Sequence, residues 1–474
     1  MAMQGDDVAW EESERIDRVW RHSLFEESTL KAIGRFIAKH RQGVPTELCE
    51  PLGGAFNVMF RMKFIDGGSA VIRFTKPGST ISLCAPLGTQ EESPPNIGPF
   101  IIMEYINHEM DMVEVLNMPG RTRDNRPILN PDIDKAVLKS LYAEVAKILL
   151  QLAKLEFPVI GALEETEEWS WEVTGRPLSL PLNELVRVGT LSRDKLPTTT
   201  FRSTSEYLEG LAALHIDHLA AQRNDAVDSK MDCQRKYVAR QLFQKLAREK
   251  KLLSAEHDKG PFKFWCDDLR PSNILLDANL HIVGVIDWEF SYAAPSEFSF
   301  APPWWLLLEQ PEYWTDGGLD NWIEVYKERW PVFLEAMTEC EDVAMASGKL
   351  REDQRLSDKM RESWASGGFW TVYAARKKFA FDCVYWKELD ARFFGSDGET
   401  QDAENILARR LELLDEPARV AMDPFVERKV AGTETRVLAW DPEEYTLVHQ
   451  AALAQKNRGS EESIAVSSGK SSMS

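Results

Sequence analysis

The stretch Phe264-Trp265-Cys266-Asp267-Asp268-Leu269-Arg270-Pro271-Ser272-Asn273-Ile274-Leu275-Leu276-Asp277-Ala278-Asn279-Leu280-His281-Ile282-Val283-Gly284-Val285-Ile286-Asp287-Trp288-Glu289-Phe290 organises the chain. It reads as a loop, a strand over Ile274–Asp277, a turn at Ala278–Asn279 and a second strand over His281–Ile286. Three polar residues stand out: Asp268, Asn273 five positions later, and Asp287 at the end of the second strand. Phosphoryl transfer needs such a trio. One carboxylate accepts the proton of the attacking hydroxyl, while an amide and a second carboxylate hold the metal ions that bridge the nucleotide phosphates. The plainer reading makes Asp268 and Asp287 turn carboxylates and Asn273 the opening of a strand, places these residues favour for local hydrogen bonds. The joint spacing of the three, with a hairpin between them, favours the catalytic reading.

The plan Asp-x-x-x-x-Asn, then a hairpin, then a metal-binding Asp is that of a kinase catalytic loop. With Cys266-Asp267-Asp268 through Asn273 and with Ile286-Asp287-Trp288-Glu289, the chain resembles the aminoglycoside phosphotransferase and choline kinase-like family. That family writes His-Gly-Asp-x-x-x-x-Asn and Ile-Asp-Trp-Glu; Cys266 departs from its histidine. The form Trp-Cys-Asp-Asp-Leu-Arg-Pro resembles a branch common in fungi. The resemblance spans roughly residues 46–394. It implies an α+β, two-lobed protein-kinase-like fold, with a small antiparallel-sheet nucleotide lobe and a large, mostly helical lobe. It also implies an ATP-dependent phosphotransferase acting on a hydroxyl of an aminoglycoside-, choline- or other metabolite-like molecule. Asp268 would be the catalytic base, and Asn273 and Asp287 the Mg²⁺ ligands.

Composition limits the alternatives. Across 474 residues, 56 Lys and Arg stand against 76 Asp and Glu, a net charge of −20, which disfavours nucleic acid or an anionic membrane as partner. Six scattered cysteines without a C-x-x-C pair argue against a zinc site or a disulfide framework and fit a reducing compartment. The opening Met-Ala-Met-Gln-Gly-Asp-Asp lacks the features of a signal peptide. No apolar run approaches the ~20 residues of a membrane span. The cytoplasm is therefore the expected location.

Residues 1–45 read as an N-terminal helical extension, with Val19, Leu24, Leu30, Ile33, Phe36 and Ile37 at helical spacing. The nucleotide lobe is expected over 46–106, with strands Thr46–Leu52, Asn57–Phe64 and Ala70–Phe74 and a hairpin turn at Asp66-Gly67-Gly68. The turn Gly53-Gly54-Ala55-Phe56-Asn57 would let backbone amides approach phosphate. Arg73 stands where protein kinases place their strand lysine, and its guanidinium can clamp phosphate; an exposed strand arginine is the alternative. Met103, Glu104, Tyr105 and Ile106 would present backbone groups to adenine. Kinase-like lobes carry a helix between the third strand and this hinge, with a Glu that pairs with the strand cation. Residues 75–97 hold Pro77, Pro86, Pro94 and Pro95 and show no helical period, and Glu91 and Glu92 sit in a proline-bounded loop. A deletion or a faulty gene model would leave one face of the sheet uncovered; another carboxylate could instead hold the cation.

The second lobe is expected over 107–454. A helix should start at Asn130-Pro131-Asp132 and run to about Leu155. Residues 164–200 read as irregular, and helices Thr204–Asn224 and Asp228–Lys251 complete an insertion over about 164–251. His215 and His218 read as core or surface histidines rather than metal ligands, and Arg235, Lys236 and Arg240 as a solvated basic face. Trp304 and Trp305 could stack on a substrate or anchor the core, the latter favoured. Helices Leu319–Cys340, an aromatic Arg361–Trp386 and Glu404–Leu414 follow, then an extended piece at Arg436–Trp440 and a disordered tail over 455–474. Three rivals stand against the enzyme: a catalytically impaired pseudokinase acting as a nucleotide-binding or interaction module, a protein kinase, and a scaffold.

Overall fold

The computed structural model describes residues 7–54, 56–76, 92–94, 97–121, 125–167, 169–187, 190–395 and 402–435. The extended piece expected at 436–440, the tail over 455–474, Glu91 and most of the interrupted stretch 75–97 lie outside them. The chain divides into two compact units, one of residues 1–106, 183–192 and 436–474, the other of 107–182 and 193–435.

The first unit opens with two helices, α1 (Asp7–Leu24) and α2 (Glu27–His40), then strands β1 (Pro45–Leu48), β2 (Leu52–Gly53), β3 (Asn57–Phe64), β4 (Ser69–Thr75) and β5 (Phe100–Glu104). The strands form a five-stranded antiparallel sheet in which β3 pairs β1, β2 and β4, and β4 pairs β5. Alternation sets its register. Val58, Phe60, Met62 and Phe64 of β3 join Ala70, Ile72 and Phe74 of β4 in the core, as a period of two requires. The β3–β4 turn is held by Asp66, whose Oδ1 accepts from the Gly68 amide at 3.0 Å, with Gly67 at φ +82°. The same core contains Trp20 and Leu24 of α1 and Ile33 and Ile37 of α2. The uncovered sheet face expected from the missing helix is thus corrected: the apolar stripes of the N-terminal helices fill it.

The second unit is mostly helical. Its first part holds β6 (Met110–Asp111), α3 (Met112–Leu116), α4 (Lys135–Leu152), β7 (Glu156–Phe157), β8 (Ala162–Glu167), β9 (Ser170–Gly175), α5 (Leu180–Arg187, whose residues from Asn183 belong to the first unit), α6 (Thr204–Ala221) and α7 (Lys230–Arg248). The helix expected from Asn130 starts later. Asp134 caps α4 by accepting from the amides of Ala136 and Val137 at 2.9 and 3.0 Å, while Asn130 closes a turn onto the Asp132 amide. The stretch read as irregular contains the β8–β9 hairpin and α5. Its Glu-rich strand is exposed, so no apolar alternation betrayed it.

Next come β10 (Phe262–Cys266), β11 (Ile274–Leu276), β12 (Ile282–Val285), β13 (Ser291–Ala294), α8 (Ser296–Phe300), α9 (Gly318–Ala346), α10 (Ser357–Ser366), α11 (Gly368–Arg376), α12 (Phe381–Val384), α13 (Asp390–Phe394), α14 (Ala403–Glu412) and α15 (Glu416–Ala431). The single helix expected over 361–386 breaks at Gly367, whose φ of +78° ends α10. The aromatic face is core: Trp322 and Tyr326 stack at 4.6 Å, and Trp364 lies 5.0 Å from Tyr326. His215 and His218 are buried; His215 Nε2 lies 3.2 Å from the Ala375 carbonyl, and its ring sits against Phe381. Burial holds His215 well below the ordinary histidine range. The solvated basic face is corrected. Arg240 is buried and forks onto Asp382 at 2.6 and 3.0 Å, Arg235 lies over Trp386, and Lys236 pairs with Asp232 at 2.8 Å. Amphipathic spacing cannot show that a cation has a carboxylate 142 positions away. Among the described residues, no helix is long and apolar enough to cross a membrane.

Glu297 gives a stability prediction. It is 8% exposed, and neither carboxylate oxygen has a hydrogen-bond partner. Burial, with Asp258 and Glu256 nearby, pushes its carboxyl from 4.5 up to about 7. The folded chain therefore holds this proton more tightly than the unfolded chain. Stability is lost as pH rises from the ordinary value through about 7, by roughly 3 kcal/mol once the group is fully ionised. Glu297→Gln should be more stable than the wild type by about that amount in denaturant titrations at pH 8, and nearly equal to it at pH 4.5. Equal stabilities at pH 8 would refute the assignment.

Candidate active site

The catalytic stretch is built on short β pieces. β10 lies between β13 and β7 in one three-stranded sheet, and β11 between β12 and β6 in another. The hairpin read from the sequence is present, with Ile274 opposite Val285. Between β10 and β11 the loop carries Asp268, and a single 3₁₀ turn over Pro271–Asn273 leads into β11.

Asp268 and Asn273 are both buried and meet directly. Asn273 Nδ2 donates to the Asp268 carbonyl at 2.8 Å and to Asp268 Oδ2 at 3.0 Å. Arg270 places Nε 2.8 Å from Asp268 Oδ1. Burial raises the Asp268 carboxyl above its ordinary value; Arg270 and the Asn273 hydrogen bond pull it back, and the Asp287 charge adds to the rise. Asp287 stands at φ 62°, ψ 51°, a left-handed conformation that Asp adopts more readily than most residues. Strain of this kind concentrates at functional sites. The Ile286 amide donates to the Asn273 carbonyl at 2.9 Å, tying the two ends of the hairpin together. Asn273 uses its Nδ2 inward and keeps its amide oxygen, and Asp287 supplies a carboxylate. That is an oxygen donor set suited to a hard cation that takes its remaining ligands from phosphate and water. Among the described residues no larger group of metal-ligating side chains occurs.

Neighbouring Asp267 has another task. Its carboxylate accepts from the Leu180 amide at 3.0 Å and Trp265 Nε1 at 2.6 Å, and pairs with the buried Arg376 of α11. It locks the loop onto the helical core. Cys266, which replaces the family's histidine, is buried, and burial pushes its thiol up to about 12, so it stays neutral. Trp305 is core, edge-on to Phe333 at 6.3 Å. Trp304 is half-buried with the Lys377 ammonium 5.9 Å over its ring. Both line a largely apolar cavity with Trp265, Asp267 and Arg376.

In the first unit, Gly54 closes the turn by donating to the Asn57 carbonyl at 2.8 Å. Gly53 lies against the Arg21 guanidinium, which a Cβ at that position would displace. Arg73 is buried, not the exposed strand residue of the alternative reading. With the Asn57 amide turned to face it, that oxygen accepts from Arg73 Nε at 3.0 Å and Nη2 at 2.7 Å. At the hinge, Met103 and Ile106 are exposed. The Tyr105 amide is donated to the Ser69 carbonyl at 3.4 Å and Arg61 stacks on its ring. Sequence reasoning passed over Arg270, two positions from Asp268, and Lys76, three beyond Arg73; their proximity in the chain was the available signal.

An α+β fold with this loop–hairpin–Asp arrangement follows the plan expected of a kinase-like phosphotransferase. Residues 117–339 match the family model described as the phosphotransferase enzyme family. That match covers just under half of the chain and agrees with the resemblance drawn from the catalytic loop. The span contains Asp268, Asn273 and Asp287, while the strands of the first unit lie outside it. No curated protein matches the sequence. Similar solved structures include an ethanolamine kinase from Plasmodium vivax, 14% identical, covering 79% of this chain and 83% of that one at a TM-score of 0.34. A macrolide 2'-phosphotransferase from Brachybacterium faecium is 12% identical, covering 78% and 99% at 0.32. A type I macrolide 2'-phosphotransferase is 12% identical, covering 82% and 97% at 0.36.

Proposed function

We propose that this protein transfers the γ-phosphate of ATP to a hydroxyl of a small molecule. The observation that carries the proposal is the Asp268–Asn273 contact: a buried carboxylate held at 3.0 Å by an amide donor, with its basicity raised by burial. A carboxylate so placed can take the proton of an attacking hydroxyl. Asn273 fixes its rotamer, and Arg270 tunes it. Asn273 and Asp287 would hold Mg²⁺, which neutralises charge on the transferred group. Gly53, Gly54, Asn57 and Arg73 would serve the phosphates, and Met103, Glu104, Tyr105 and Ile106 the adenine. Trp304 would offer an aromatic wall to the acceptor, whereas buried Trp305 would support it. Scattered free cysteines support the cytoplasm as the working compartment. The pseudokinase reading loses part of its support, because the sheet face it assumed bare is filled by α1 and α2.

The test is ADP production from ATP and Mg²⁺ across a panel of hydroxyl compounds, with Asp287→Asn in parallel. The substitution keeps a residue that tolerates the left-handed backbone but removes the charge. We expect at least one acceptor to raise turnover above the water background, and Asp287→Asn to lose ~10²-fold or more. Equal turnover by the two proteins would sink the assignment of Asp287.

A further inference from the structure

Cations from three separate segments converge on the Gly53–Asn57 turn of the first unit. Arg21 of α1 donates through Nη2 to the Gly54 carbonyl at 2.9 Å. Lys76, just past β4, is buried, and its amide donates to the Phe56 carbonyl at 2.8 Å. Arg187 of α5 lies over the rings of Phe56 and Trp10 at 5.4 and 5.3 Å and donates to Ser13 Oγ at 3.0 Å. Arg73 reaches the same turn through Asn57. Asp17 is shared between Arg21 at 2.9 Å and Lys76 at 3.5 Å, while Glu14 and Glu184 act at longer range. The Arg187 Nε is buried with no hydrogen-bond partner. Burial and the Arg187 charge hold the Lys76 ammonium down at about 8. Gathering cations away from water costs free energy that a multivalent anion would recover.

We propose that Arg21, Lys76 and Arg187, together with Arg73, form a polyphosphate cradle around this turn, so that α1 and α5 complete the phosphate site of the first unit. The proposal rests on the ATP-dependent reading and extends it to residues outside the family span. Asp17 acts as the positioning carboxylate that orients Arg21 and Lys76.

Calorimetry on the full chain, with inorganic tripolyphosphate and with ATP as probes, tests it. Lys76→Met and Arg187→Met should each weaken tripolyphosphate binding about tenfold or more and flatten its salt dependence. Lys76→Arg should recover most of the affinity, and the exposed control Lys63→Met should leave it unchanged. On the wild type, tripolyphosphate should protect Lys76, but not Lys63, from an amine-acylating reagent; this reading survives if the variants fail to fold. ATP binding that persists within twofold in folded Lys76→Met and Arg187→Met would overturn the cradle and leave the kinase reading standing. Tripolyphosphate binding that these variants lose, with no ATP binding by the wild type, would keep the cradle and remove the nucleotide. No binding of either probe would overturn both.

Discussion

Asp268→Asn should abolish phosphoryl transfer, by about 10²–10⁴-fold in kcat, while raising the melting temperature. Both effects come from the same buried carboxylate. The amide oxygen introduced by the substitution could still accept the Asn273 hydrogen bond, so the loop keeps its shape, but the amide cannot take a proton. Because burial lifts the Asp268 carboxyl above its ordinary value, the ionised form needed for catalysis is the form the folded protein holds less well. Its stability cost is absent at low pH, grows as the pH rises through the raised value, and is complete above it. The variant's advantage should therefore appear near neutrality and vanish in acid. The rate has the opposite dependence: kcat/KM falls as pH drops through the carboxyl's titration, at a higher pH than for an ordinary aspartate. Arg270 holds that carboxyl down, so Arg270→Gln should shift the acid limb to still higher pH. A pH–rate profile for the three proteins, with thermal melts at pH 5 and 8, reads all of this. An Asp268→Asn enzyme with wild-type kcat would end the assignment.

Trp20→Ala should destabilise the first unit by about 3–5 kcal/mol. Trp20 is fully buried, touches the sheet core, and donates its indole N–H to the Ile97 carbonyl at 3.4 Å. Truncation leaves a cavity between α1 and the residues of β3 and β4, with one buried carbonyl unsatisfied. Urea unfolding followed by circular dichroism checks it. A loss under about 1 kcal/mol would mean that the N-terminal helices are ornaments on a sheet that stands without them. The same substitution should also weaken ATP binding, since α1 carries Arg21 and Asp17.

Phosphoryl transfer calls for residue types at fixed spacing, which is why Asp268, Asn273 and Asp287 stand out in the sequence; the hairpin read between them is present, and Asn273 meets Asp268. Alternation along β3 was similarly plain, because Val58, Phe60, Met62 and Phe64 all face one core. Other features depend on distant partners and leave no local trace. Arg240 looks solvated until Asp382 is seen beside it. The stripe of Leu24, Leu30, Ile33, Phe36 and Ile37 announces amphipathic helices, but not which surface they cover; Val19, read with them, is exposed, and Trp20 takes the core position instead. The β8–β9 hairpin is mostly exposed, and its Glu-rich first strand shows no apolar alternation, so it resembled a loop. Asn130 and Asp134 are both good caps, and only the backbone shows that Asn130 serves a turn and Asp134 the helix.

Calorimetric titration of the wild-type chain with ATP, in the presence and absence of Mg²⁺, tests the central claim most directly. The account predicts saturable binding that requires Mg²⁺ and is lost in Asp287→Asn. Absence of ATP binding at any Mg²⁺ concentration, by a chain that melts cooperatively, would contradict it.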